Sequence, residues 1–172
     1  MNLRDLIISG QSKRDTEAAV HFIGNDKDRF NELINYCFAA DTLLSRQACR
    51  IASDVTTNYP RLVQTHIPKI VRQLVSPEVD PAVKRHILKV LQKSPIPVSS
   101  QGILMNFCFE VVTSFEEAPA VKANALTVLY NLSKKHPEIL GELILLINDR
   151  LATESPAFRS RAIKILTEQQ KN

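Results

Sequence analysis

Tryptophan is absent from this 172-residue chain, glycine occurs 4 times, and aromatic residues supply 6% of the composition. No stretch alternates apolar and polar residues at the period of two that a half-buried strand shows, whereas apolar residues recur at intervals of three and four. A sheet is therefore not expected, and the fold class is all-α. Cysteine is scarce and odd in number. Cys37, Cys49 and Cys108 sit inside helical patterns and lack Cys-x-x-Cys or Cys/His ligand spacing, so they read as buried, reduced thiols of a cytoplasmic protein. His21, His66, His86 and His136 fall in different helices or helix ends without metal-site spacing, and no metal or cofactor is expected. Long hydrophobic runs are missing as well. The longest, Leu143 to Ile147, is too short to cross a bilayer, and the first residues carry Asp5 and lack the apolar run and cleavage site of a secretory signal.

What the chain does have is a repeat. The segments 44–52 (LSRQACRIA), 83–91 (VKRHILKVL), 121–129 (VKANALTVL) and 158–166 (FRSRAIKIL) share one pattern. Their first residues, Leu44, Val83, Val121 and Phe158, stand 39, 38 and 37 positions apart, the spacing of stacked helix pairs in α-solenoids. With the first residue as zero, positions 0, +4, +7 and +8 lie on one helical face and are apolar in all four copies, which predicts the core between helices. Each segment follows a turn with helix-start chemistry: Asp41, Asp80 and Ser155 suit the N-cap, and Pro81, Pro119 and Pro156 suit the first turn. Ala118 is the exception, with Glu116 and Glu117 nearby to face the helix's positive end. Apolar clusters centred on Leu33, Ile70, Phe107 and Leu143 mark the first helix of each pair.

This arrangement resembles the HEAT-repeat (armadillo-like) α-solenoids, and Asp80-Pro-Ala-Val83-Lys84 comes closest to the HEAT Asp-Pro-x-Val-Arg turn. Lys84, Lys122 and Arg159 occupy the HEAT arginine position at +1, whereas Ser45 departs from it and Arg46 follows one place later. Segments 82–91 and 127–138 are also similar to a group of small bacterial HEAT-like proteins. The resemblance implies a right-handed α-α superhelix of about four to five helix pairs. The organisation expected is a single solenoid domain over 1–172: a degenerate leading pair at 1–25, then repeats at 26–59, 60–98, 99–136 and 137–172.

Charge gives the functional clue. Residues 58–98 hold 7 Lys/Arg against 2 Asp/Glu, so the formal net charge of +4 is concentrated in one repeat. The positions +2 and +6, turned away from the apolar face, carry Arg46 and Arg50, then Arg85 and Lys89 with Lys93 one turn further, and Lys164 in the last repeat. In HEAT-like solenoids the second helices line the concave surface, so the resemblance implies a trough that is basic in its first half, with Tyr130 on the same surface. Arg46, Arg50, Arg85, Lys89, Lys93, Tyr130 and Lys164 are the candidate partner-binding residues. The competing explanation is a solvated face, since Lys and Arg favour helices and keep surfaces soluble.

Shallow stacked surfaces favour a noncatalytic protein-binding scaffold whose partner is a protein or acidic peptide, and no catalytic residue is expected. A nucleic-acid-binding HEAT-like protein is the alternative. The missing tryptophan counts against it, leaving Tyr130 as the aromatic for base stacking on that surface. An all-helical enzyme such as a lyase is a further alternative, opposed by the absence of that family's Ser-rich loop and of its Met-Pro-x-Lys-x-Asn-Pro sequence.

Overall fold

The computed structural model of the protein describes residues 2–10 and 12–171, and among these it contains ten α-helices and no strand. The helices run in consecutive pairs: α1 (Leu3–Ser9) with α2 (Lys13–Ile23), α3 (Lys27–Cys37) with α4 (Thr42–Asn58), α5 (Ile67–Leu74) with α6 (Pro81–Leu91), α7 (Val98–Thr113) with α8 (Pro119–Ser133), and α9 (Glu138–Arg150) with α10 (Pro156–Gln169). A 3-10 turn, Gln64–His66, leads into α5. Contacts divide the chain into two compact units, residues 1–100 and 101–172, and the division falls within the first turn of α7.

Helix starts follow from the capping residues. Asp41 accepts a bond from Leu44 N at 3.1 Å, Asp80 from Ala82 N at 2.8 Å, and Ser155 from Phe158 N at 3.2 Å. Each satisfies an amide that has no partner within its helix. Ala118 offers no side-chain acceptor, and α8 begins instead on Pro119, whose fixed backbone angle suits the first turn. Outside the repeat pattern, Ser12 and Asp15 form a reciprocal capping box at α2 (3.2 and 3.1 Å). At the other end of α2, Gly24 adopts φ 51°, a left-handed conformation that side chains resist.

The repeat positions are the core. Leu44, Ala48, Val83, Ile87, Val121, Ala125, Phe158 and Ala162 are all buried, as are +7 and +8 in α4, α6 and α8. In α10, Ile165 at +7 is buried and Leu166 at +8 is half-buried. Within the first unit α4 packs on α3 and on α6, and α1 and α2 also pack on α4; within the second, α8 packs on α9 and α10. Within the first unit α4 thus presents one face to its own pair and another to the next, which explains a stripe wider than two positions per turn. Cys37, Cys49 and Cys108 are free and buried in this core. Burial pushes the Cys49 thiol well above its ordinary pKa and raises that of Cys108, because a thiolate there would lose its hydration.

Candidate functional site

The outward positions of the second helices carry two kinds of cation. Some bond to a group one repeat away. Arg46 of α4 makes a two-pronged contact with Asp80, Nε to Oδ1 at 3.0 Å and Nη2 to Oδ2 at 2.6 Å. Arg46 at its side holds the Asp80 carboxyl below the usual carboxylate range, aided by the backbone amides of Ala82 and Val83. Asp80 therefore caps α6 and receives the guanidinium of α4 at once. Arg50, also of α4, donates to Thr16 Oγ1 of α2. Two residues expected on the binding surface are thus engaged in joining neighbouring pairs.

The other candidate cations of the first unit lie on α6 or, for Lys93, just past its end. Arg85, Lys89 and Lys93 are exposed, and neither lysine forms a hydrogen bond or ion pair with any described residue. His86 stands among them. Arg85 Nη2 lies 3.2 Å from His86 Nε2, and a guanidinium can only donate, so that nitrogen accepts and the proton resides on Nδ1. Nδ1 is buried without a partner. Burial, reinforced by Arg85, Lys89 and Arg50, lowers the His86 pKa to about 4, so the ring is neutral at physiological pH. The spacing argument could place Arg50, Arg85 and Lys89 on one side of their helices; it gave no sign that a histidine would be held neutral between them.

The second unit holds Tyr130 and Lys164, and here the expectation needs correcting. Tyr130 is not an exposed ring on a trough: it is 6% exposed. Position +9 lies one residue from the +8 core position, and α8 is buried on nearly every side, Lys122, Ala123 and Asn124 included. The Tyr130 hydroxyl accepts a bond from Gln169 Nε2 at 3.0 Å, and Lys134 Nζ lies 4.9 Å from the ring centroid. Beside it, α8 and α10 leave a depression of about 170 Å³ whose walls include Thr127, Tyr130, Lys134, Arg161, Lys164 and Glu168. Sequence reasoning singled out Tyr130 and Lys164 and passed over Lys134 and Arg161. The signal was present in the spacing: Tyr130 and Lys134 are four apart on α8, and Arg161 and Lys164 three apart on α10, neighbouring positions on a helix surface.

A buried charge network lies elsewhere in this unit. Lys122 Nζ pairs with Glu154 Oε1, and Arg150 Nη1 reaches the same oxygen at 3.2 Å. Arg150 also donates to Thr113 O at 2.7 Å and lies against the ring of Phe115, 4.5 Å from its centroid. These contacts join the α7–α8 turn to the end of α9.

Helix pairs recurring at one period, with side-chain bonds between successive pairs inside each unit, define an α-helical repeat protein. The HEAT repeat domain matches residues 3–169, and the chain belongs to that family. HEAT repeats are typically helical scaffolds that commonly engage other proteins. No curated protein and no solved structure matches the chain. Among the described residues no helix is long and apolar enough to cross a membrane.

Proposed function

We propose that this HEAT-repeat protein is a noncatalytic scaffold that engages an acidic segment of a protein partner through the basic face of α6. One observation carries the proposal: Lys89 and Lys93 are exposed beside Arg85 and bond to no described residue, whereas Arg46 and Arg50 are held by intramolecular contacts. Charges without local work raise the local potential and steer oppositely charged partners. The neutral His86 supports the same reading. Its lowered pKa is due first to burial, and the smaller share from Arg85, Lys89 and Arg50 reflects positive potential at this face. A cytoplasmic setting belongs to the proposal and is supported by the three free, buried cysteines.

The test is affinity capture with crosslinking from the native host, using the unaltered protein and the double variant Arg85→Glu/Lys89→Glu. The expected outcome is loss of a protein partner with an unchanged melting temperature, since exposed charges contribute little to folding. Unchanged recovery of every partner would overturn the proposal. If the unaltered protein instead captures nucleic acid, with affinity that falls steeply as salt rises, the nucleic-acid alternative replaces it.

A further inference from the structure

The depression between α8 and α10 has a chemistry of its own. Three cationic side chains, Lys134, Arg161 and Lys164, and one carboxylate, Glu168, border about 170 Å³ of space, so the charges on its walls sum to +2. Two of the cations are held in place. Lys134 lies against the face of Tyr130, a favourable station for an ammonium group, and Arg161 donates to Thr127 Oγ1, which fixes the orientation of its planar guanidinium. Lys164 is exposed and forms no hydrogen bond or ion pair with a described residue.

We infer that this depression is a receptor for a phosphate monoester. The match is one of charge and size. A monoester carries about −1.5 to −2 charges at neutral pH and three acceptor oxygens, against wall charges of +2. Three cationic side chains around one small space suit a compact dianion better than the single charge of a carboxylate. The small volume admits one such group and not a run of nucleotides, and the buried Tyr130 offers no open ring face for a base. The phosphate belongs either to a phosphorylated side chain of a partner protein or to a free small phosphate ester. The inference concerns the second unit alone and does not require the α6 face to bind anything.

The experiment is a two-dimensional amide NMR titration of the full chain with inorganic phosphate, N-acetyl-O-phosphoserine amide, a phosphoserine peptide, its unphosphorylated form and N-acetylglutamate. Saturable shifts confined to residues 127–134 and 161–168 are expected for the phosphorylated probes, with affinity rising as pH passes the second phosphate pKa of about 6. Lys134→Ala/Lys164→Ala should weaken phosphate binding by about tenfold or more, since charge-assisted bonds are lost. Glu168→Gln should tighten it several-fold by removing the repelling carboxylate, a gain that damage to the fold cannot mimic. Tighter binding of the phosphopeptide than of inorganic phosphate assigns the site to a protein partner; equal binding of the two assigns it to a small ester. The inference is overturned if N-acetylglutamate binds as well as the phosphoserine amide, if no probe shifts these amides, or if neither variant changes affinity.

Discussion

Both units join a cation on a second helix to a carboxylate one repeat further along, and they do so in opposite surroundings. In the first unit the side chains of Arg46 and Asp80 are 53% and 20% exposed; in the second those of Lys122 and Glu154 are 5% and 11% exposed. The position on the helix accounts for the contrast. Lys122 stands at +1, about 20° past the +8 core position on a helical wheel, whereas Arg46 at +2 is a further 100° out. Even +1 does not guarantee burial: Lys84 is half-buried in α6 and Arg159 is exposed in α10. The lesson is that one motif position can hold a buried strut or a solvated contact, depending on how closely the neighbouring helices cover it. A buried pair is costly to break and an exposed pair contributes little.

That contrast gives the ranking of effects. Glu154→Ala should be the most damaging change, because it strands the Lys122 and Arg150 charges in the protein interior; about 3–5 kcal/mol of stability should be lost in urea unfolding. The companion Lys122→Met/Glu154→Met should recover most of that loss. A mild effect of Glu154→Ala alone would erase the distinction between the units. Next comes Asp80→Ala, which removes a helix cap as well as an ion-pair partner and should cost about 0.5–2 kcal/mol through the cap.

A pH effect at His86 is separate from these. Its folded pKa, about 4, lies below the ordinary 6.5, so between these values the unfolded chain takes up a proton that the folded chain refuses. Stability should be fully present above pH 6.5, decline as pH falls towards 4, and then level off. His86→Gln should flatten that segment of the profile in thermal melts at pH 4 to 7. Lys89→Gln should raise the His86 pKa, as read by imidazole NMR; an unmoved pKa would mean that Lys89 has no part in setting it.

Arg46→Ala should have the least effect, because its partner contact is half in solvent. Whatever it contributes has a defined sign. The Asp80 carboxyl titrates below its ordinary value, chiefly through Arg46, so the contribution is present above about pH 4 and lost as pH falls through the folded value. Unaltered and Arg46→Ala proteins should therefore converge in acid, and a difference that persists at pH 2 would point to packing of the arginine stem.

Much of this architecture could be read before any coordinates. The 37-to-39-residue period, the apolar face and the caps at Asp41, Asp80 and Ser155 are local signals, and local physics decides them. The surface was legible only as angles. Helical spacing places Arg46 and Arg50 away from the core, but it does not say that Asp80 and Thr16 will be waiting for them, because that depends on the register between pairs about 34 residues apart. Tyr130 was misjudged for a related reason. Its position looks peripheral on a single helix, and only the packing around α8 buries it. Lys134 and Arg161 became significant when two helices brought them to one depression.

Asp80 faces two ways, closing the start of its own helix and gripping the arginine of the helix pair before it. A segment that carries such a carboxylate at its entrance and an outward arginine one turn into its second helix is complementary to a copy of itself. Gene duplication of that segment would supply each new hairpin with a ready socket and a ready plug, so lengthening the array would demand no simultaneous change in the hairpins already present. Growth by copying is then the route of least resistance.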